Sequence, residues 1–196
     1  MFANRFTVLL DACVLVGPLK RNLLLSLAEA EFFGVRWSTR ILDEAERAMS
    51  RLMTDRGVVD AASRAVRARR AMERAFEDAA VTGHEVLIDG LKDLPDPDDA
   101  HVIAAAVKTR ASVIVTDNTK HFPNDVLNPL DLEAKTTDAF LADTIDLDIG
   151  RAIAAIRRMR KRLQRPEKRP EVLLLDMETV GLTQTVDVLR EHLLSH

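Results

Sequence analysis

Two short apolar runs, each ended by an aspartate, constrain this chain most: Phe6-Thr7-Val8-Leu9-Leu10 before Asp11, and Ser112-Val113-Ile114-Val115-Thr116 before Asp117. Brief, partly β-branched runs without polar alternation are what parallel strands covered on both faces look like. Parallel strands need crossover connections, and the stretches between these runs carry helical apolar spacing. The expectation is an α/β fold with a central parallel sheet flanked by helices. In open sheets of this kind ligands bind beyond the carboxyl ends of the strands, where both aspartates fall.

The remaining pattern fits that scheme. Leu23, Leu24, Leu27 and Ala28 predict a helix over 20–31, and Val35-Arg36-Trp37 a short second strand. Ser38 or Thr39 caps the next helix, whose apolar stripe runs through Ile41, Leu42, Ala45, Ala48, Met49, Leu52 and Met53. Glu44 lies just outside one edge of the stripe, Glu46 flanks the other, and Asp43 points nearly opposite, so Glu44 or Glu46 can reach a site beside the core. A long charged helix or helix pair follows over 58–80, then a candidate strand over 85–88. Asp96 and Pro97 open a helix buried through Val102, Ile103, Ala106 and Val107, which leads into the strand over 112–116. Composition shifts near Asn128-Pro129-Leu130. Beyond it the pattern reads as helices alone, over 138–145, 149–164, 171–180 and 183–194, giving a domain over 1–130 and a helical C-terminal extension over 131–196.

At 196 residues the chain can bury a core without disulfides, and its single cysteine, Cys13, points to a reducing, cytoplasmic setting. The opening stretch superficially resembles an export signal, but Asp11 interrupts it, and no apolar run reaches the roughly 20 residues of a membrane span. No membrane association is expected. The formal net charge of −3 conceals two arginine-rich segments, one from Arg64 and one from Arg157. Each reads either as a solvated helix face or as a track for a phosphate backbone.

Four acids, Asp11, Glu44, Asp99 and Asp117, close or edge apolar runs and read as one dispersed carboxylate site. Clustered carboxylates repel one another unless a cation binds them, and oxygen ligands suit hard ions such as Mg²⁺ or Mn²⁺. Taken in the segments LLDACVL, ILDEAE, DAHVIAAA and VTDN, these acids make the chain resemble PIN-domain ribonucleases, in particular the VapC-type toxins of toxin–antitoxin pairs, over roughly residues 1–130. The resemblance implies a metal-dependent endoribonuclease: Asp11, Asp99 and Asp117 as ligands of Mg²⁺ or Mn²⁺, Glu44 completing the cluster or orienting water, and Asp96 or Asp98 as additional members. It also implies an RNA substrate, products with 5′-phosphate and 3′-hydroxyl ends, a cognate antitoxin and a second copy of the chain as partners.

Other readings remain open at this level: turn and cap carboxylates without a common site, with Asp96 serving as a helix cap, or an inactive PIN fold acting as an RNA or protein docking module. A phosphatase of the haloacid-dehalogenase type also places Asp after its first strand, but Cys13 stands where its second Asp belongs. Cys13 itself reads as a small packing residue rather than a nucleophile, His101 as a surface helix residue and Trp37 as a packing residue. The segment around Gly181 has a helix–turn–helix look. Antitoxin or dimer contacts are the preferred reading of the tail.

Overall fold

A computed structural model describes residues 6–91, 94–162 and 169–193. Strand β1 (Thr7–Leu10) is the middle of a five-stranded sheet, because Val8, Leu9 and Leu10 have no exposure and need cover on both faces. On one side it pairs with β2 (Gly34–Ser38), Val8 opposite Val35, and β2 with β3 (Ala80–Val81); on the other it pairs with β4 (Val113–Val115), Val8 opposite Val113, and β4 with β5 (Glu133–Lys135). The order is β3-β2-β1-β4-β5, every pair parallel. The chain steps one way from β1 to β2 and returns on the other side as β4, so the switch point of the sheet lies between β1 and β4.

Helix α1 (Ala12–Val16) follows β1 directly, and α2 (Pro18–Glu29) follows α1. Helix α3 (Thr39–Asp55) starts where Ser38 Oγ accepts from Ile41 N at 3.2 Å, the side-chain cap expected of a serine there. Helix α4 (Ala61–Ala75) packs on α3, and Arg69 joins them by reaching Asp43 at 2.5 Å, Glu46 at 3.4 Å and Glu73 at 3.0 Å. Helix α5 (Ala100–Lys108) is buried without interruption from Ala100 to Ala106, and its run of alanines lets it lie close on β1, β2 and β4. Short helix α6 (Asn124–Leu127) leads toward β5.

Two expectations about this part are overturned. Residues 85–88 are not a strand but part of a 3-10 helix, Glu85–Gly90, in which Val86 is exposed; the strand is two residues long and lies earlier, beside Trp37 and Ser38. Residues beyond 130 are not helices alone, since Glu133–Lys135 form β5. That strand is short, polar and at the sheet edge, so it carries none of the apolar signal of a central strand.

The chain divides into two compact units: the sheet-bearing one, up to Gly17 and from Gly34 to Lys135, and a helical one of Pro18–Phe33 with the segment from Thr136 onward. A sequence division at 130 and this division differ because α2 packs with α7 (Thr137–Leu147) and α8 (Ile149–Arg162). In the helical unit Phe33 meets Phe140 edge-on at 5.0 Å, Arg151 lies 4.1 Å above the Phe32 ring, and Arg162 grips Glu29 through two bonds of 2.7 and 2.9 Å. Helix α9 (Pro170–Thr179) turns at Gly181, φ +82°, into α10 (Thr183–Leu193). The N-terminus of α10 is capped from another helix: the Asp138 carboxylate accepts from Gln184 N, from Thr185 N and from the Thr183 and Thr185 hydroxyls. Of the residues a helix–turn–helix would expose here, Thr185 is therefore buried on Asp138, and Arg190 pairs with Glu178. Among the described residues no helix is long and apolar enough to cross a membrane.

Candidate active site

Asp11 emerges from the carboxyl end of β1 at the switch point. Its backbone N–H still donates to Val115 O of β4 at 3.1 Å, which holds the two strand ends together. Its side chain, 6% exposed as a residue, accepts from Ala12 N at 2.6 Å, from Thr116 Oγ1 at 2.7 Å and from Cys13 Sγ at 3.2 Å. A carboxylate buried with that many donors is held in one orientation. Thr116 is the last residue before Asp117, so β4 supplies both the hydroxyl that orients Asp11 and, exposed just beyond it, the Asp117 carboxylate. Asp117 N donates to Cys13 Sγ at 3.4 Å, closing a ring of contacts across the β1/β4 crevice.

Cys13 belongs to this ring as a packing and hydrogen-bonding group. Burial, with the Asp11 charge adding to it, pushes its thiol up to about 12, so it stays protonated at neutral pH.

The third acid comes from the start of α5. Asp96 accepts from Asp98 N at 3.0 Å and so caps the 3-10 turn Pro97–Asp99 that feeds α5. Asp99 faces inward, where its Oδ2 lies 2.7 Å from His121 Nδ1; Asp98 faces solvent, 3.7 Å from Arg40. Burial raises the Asp99 carboxyl above its ordinary range, His121 opposes that, and the charges of Asp11 and Asp96 add to it. Donor atoms of Asp96, Asp99 and His121 all lie within 4.8 Å of one another. Crowded carboxylates with one imidazole fit a divalent cation, and the imidazole moves the preference from Mg²⁺ toward Mn²⁺ and other first-row ions.

Glu44 is carried by α3. Its Oε1 accepts from Arg40 Nε at 3.0 Å and lies 3.4 Å from His101 Nε2. Glu46, the alternative at the sequence level, turns toward Arg69 and α4 instead. His101 corrects an expectation: it is not a surface residue but 2% exposed, since α5 is buried on more than the one face its apolar spacing marked. Burial lowers its pKa, with Glu44 acting in the opposite direction.

The structure thus places Asp11, Asp96 and Asp99 near enough for the charges of Asp11 and Asp96 to bear on Asp99, leaves Asp117 exposed beyond β4 with its backbone N–H on Cys13, and sets Glu44 against His101. Three participants escape sequence reasoning. His121 sits in a 3-10 turn, Thr119–His121, with no periodicity to mark it. Thr116 is hidden as an ordinary strand residue. Arg40 had a usable signal, since it lies four residues before Glu44 on one helix.

Comparison with known proteins agrees with the fold. The PIN domain model matches residues 7–120 and the VapC50 C-terminal domain model matches residues 137–191. The chain belongs to the PIN-domain family, in its VapC type. Among curated proteins it is similar to "Putative ribonuclease VapC50" of Mycobacterium tuberculosis, 57% identical over 49 residues, which are 25% of this chain. The match covers 29% of that relative's length. No solved structure matches.

Proposed function

We propose that this chain is an Mg²⁺- or Mn²⁺-dependent endoribonuclease that hydrolyses RNA phosphodiester bonds and acts as the toxin of a toxin–antitoxin pair. The observation that carries the reading is the buried, firmly oriented Asp11 at the β1/β4 switch point, close enough to Asp99 for its charge to raise the Asp99 pKa. Membership of the PIN family and likeness to a protein named as a ribonuclease support it.

In this reading Asp11, Asp99 and Asp117 hold the cation, Asp96 and His121 border it, and Asp98 remains outside. A divalent cation bound there supplies positive charge to the phosphate and lowers the pKa of water. Thr116 and Cys13 fix the Asp11 oxygens, His121 fixes one Asp99 oxygen, and Arg40 fixes Glu44, so little reorganisation is left for the moment of reaction. Glu44 accepts a hydrogen bond from the attacking water and orients it in line with the scissile bond. Arg64, Arg67, Arg70 and Arg74 are all exposed on α4 and offer charge to the rest of the RNA backbone. An antitoxin that covers the acidic site, a second copy of the chain and a cytoplasmic setting complete the proposal.

The test is cleavage of total cellular RNA by purified protein in Mn²⁺ or Mg²⁺, with EDTA and Asp11→Asn controls and mapping of product ends. Discrete cuts with 5′-phosphate and 3′-hydroxyl ends, lost in both controls, are expected. Cuts that persist in Asp11→Asn overturn the assignment of the site; no cuts, with no metal-induced rise in melting temperature, turn the reading to a docking module.

A further inference from the structure

Beside the acidic site lies a cavity of about 160 Å³ that none of the chemistry above uses. Two of its lining residues are histidines, His84 at 4% and His101 at 2% exposure. On each, Nδ1 is buried and has no hydrogen-bond partner among the described residues. Glu85 stands 3.6 Å from His84 Nδ1, beyond hydrogen-bonding distance. Buried polar atoms are nearly always satisfied, so two unpaired ring nitrogens on residues of one cavity indicate that something polar completes them. Val81 and Ile88 add apolar wall, and exposed Thr82 with half-exposed Arg40 frames the mouth.

Chemistry narrows the occupant. A three-ligand metal site is excluded, because among the described residues no third His, Cys, Asp or Glu donor gathers with these two imidazoles. An anion is disfavoured: Glu85 lines the cavity, Glu44 adjoins it, and the Arg40 charge is already paired with Glu44 and Asp98. The volume corresponds to about five water molecules, below the range of drug-sized sites, and so admits a single ring rather than a whole nucleotide. A flat, uncharged ring with donors and acceptors on its edge matches two imidazoles that each donate or accept according to tautomer.

We propose that this cavity receives one unstacked nucleobase of the RNA, from a nucleotide neighbouring the cleaved phosphate, and sets a base preference at that position. Single-stranded RNA is read in this way, by bases splayed out of the stack and bonded along their edges. The link to the cleavage site is direct, since Arg40 and His101 both line the cavity and both approach the same oxygen of Glu44, at 3.0 and 3.4 Å. The inference rests on the ribonuclease reading for its substrate, but its test can fail separately.

Two arms test it with the full-length chain. In the first, the Asp11→Asn protein is titrated with the four nucleoside 5′-monophosphates and with inorganic phosphate while the imidazole Cε1–H resonances are followed. One nucleotide is expected to shift both His84 and His101 well beyond the other three; equal shifts from all four, shifts matched by inorganic phosphate, or no shift overturns the pocket. In the second, cut sites are mapped on a random RNA pool. Wild-type protein is expected to prefer one base at one position beside the cut, and His84→Phe, which fills the cavity, to reduce that preference by about tenfold or more. An unchanged preference overturns the inference while leaving the ribonuclease intact. Should His84→Phe not fold, Thr82→Val at the mouth takes its place. Absence of any cleavage defeats the ribonuclease reading, and the resonance titration still decides the pocket.

Discussion

Replacing Asp138 with alanine is expected to destabilise the helical unit by about 3 kcal/mol. The Asp138 carboxylate stands in for a local cap on α10, taking Thr185 N at 2.9 Å, Thr185 Oγ1 at 2.8 Å, Gln184 N at 3.0 Å and Thr183 Oγ1 at 3.3 Å. Loss of a helix cap costs roughly 0.5–2 kcal/mol, and each buried donor left unpaired roughly 1–3. Thr185 N is the buried donor at stake. Gln184 N and Thr183 Oγ1 are only partly buried and can turn to water, and Thr185 Oγ1 keeps the Asp138 carbonyl at 3.2 Å, so the total stays well below the sum of four bonds. Asp138→Asn keeps one accepting oxygen and should lose about half as much.

The pH dependence has a definite sign. Burial of Asp138 works against ionisation, but the Thr185 and Gln184 N–H groups and the two hydroxyls outweigh it and hold the carboxyl below its ordinary 3.8. Its contribution is therefore complete above that ordinary value and fades as pH falls through the lower, folded value. Urea unfolding followed by far-ultraviolet circular dichroism, at about pH 7 and about pH 3, measures both effects. The gap between wild type and Asp138→Ala should be full at the first pH and narrower at the second. Fluorescence of Trp37, in the sheet-bearing unit, reports separately on that unit. Coincident wild-type and mutant curves by circular dichroism at neutral pH would refute the reasoning.

Three other expectations follow from single contacts. Thr116→Val removes the 2.7 Å donor to Asp11 without changing side-chain shape much; stability should drop by about 1–2 kcal/mol and RNA cleavage more than binding, as read by melting and by separate kcat and KM values. Native Cys13 should resist alkylation near neutral pH and react promptly once urea unfolds the chain, because its thiol is raised to about 12; stoichiometric labelling of folded protein would contradict its placement. Arg69→Met should cost about 1–2 kcal/mol by leaving Asp43, Glu46 and Glu73 facing one another at the α3/α4 contact, a loss measurable by urea titration and larger at low than at high salt.

How far the fold can be read in advance follows from burial. β1 and β4 are covered on both faces, so their apolar runs are unbroken and announce themselves. β3 pairs two residues and β5 three, at opposite edges, where pairing through the backbone asks little of side chains. The false strand over 85–88 arose from Val86, Leu87 and Ile88, an apolar triplet that a 3-10 helix distributes around its axis, leaving Val86 in solvent. The acids at strand ends are legible because topology fixes where such ends meet. Their supports are not: His121 reaches Asp99 from 22 residues away, Thr116 reaches Asp11 from 105, and His101 is buried because three strands and a 3-10 helix crowd α5.

Helix α2 has a history that its final surroundings conceal. It is completed at Glu29, yet its partners α7 and α8 begin only at Thr137 and Ile149. During synthesis the leucines at 23, 24 and 27 must wait for more than a hundred further residues, on the order of 5–20 s at ordinary elongation speeds. A nascent chain in that interval displays a sticky apolar surface, a target for holding chaperones. Any shortened version that ends at Lys135 would display it permanently, so trimming this protein down to its sheet means removing or rewriting α2 as well.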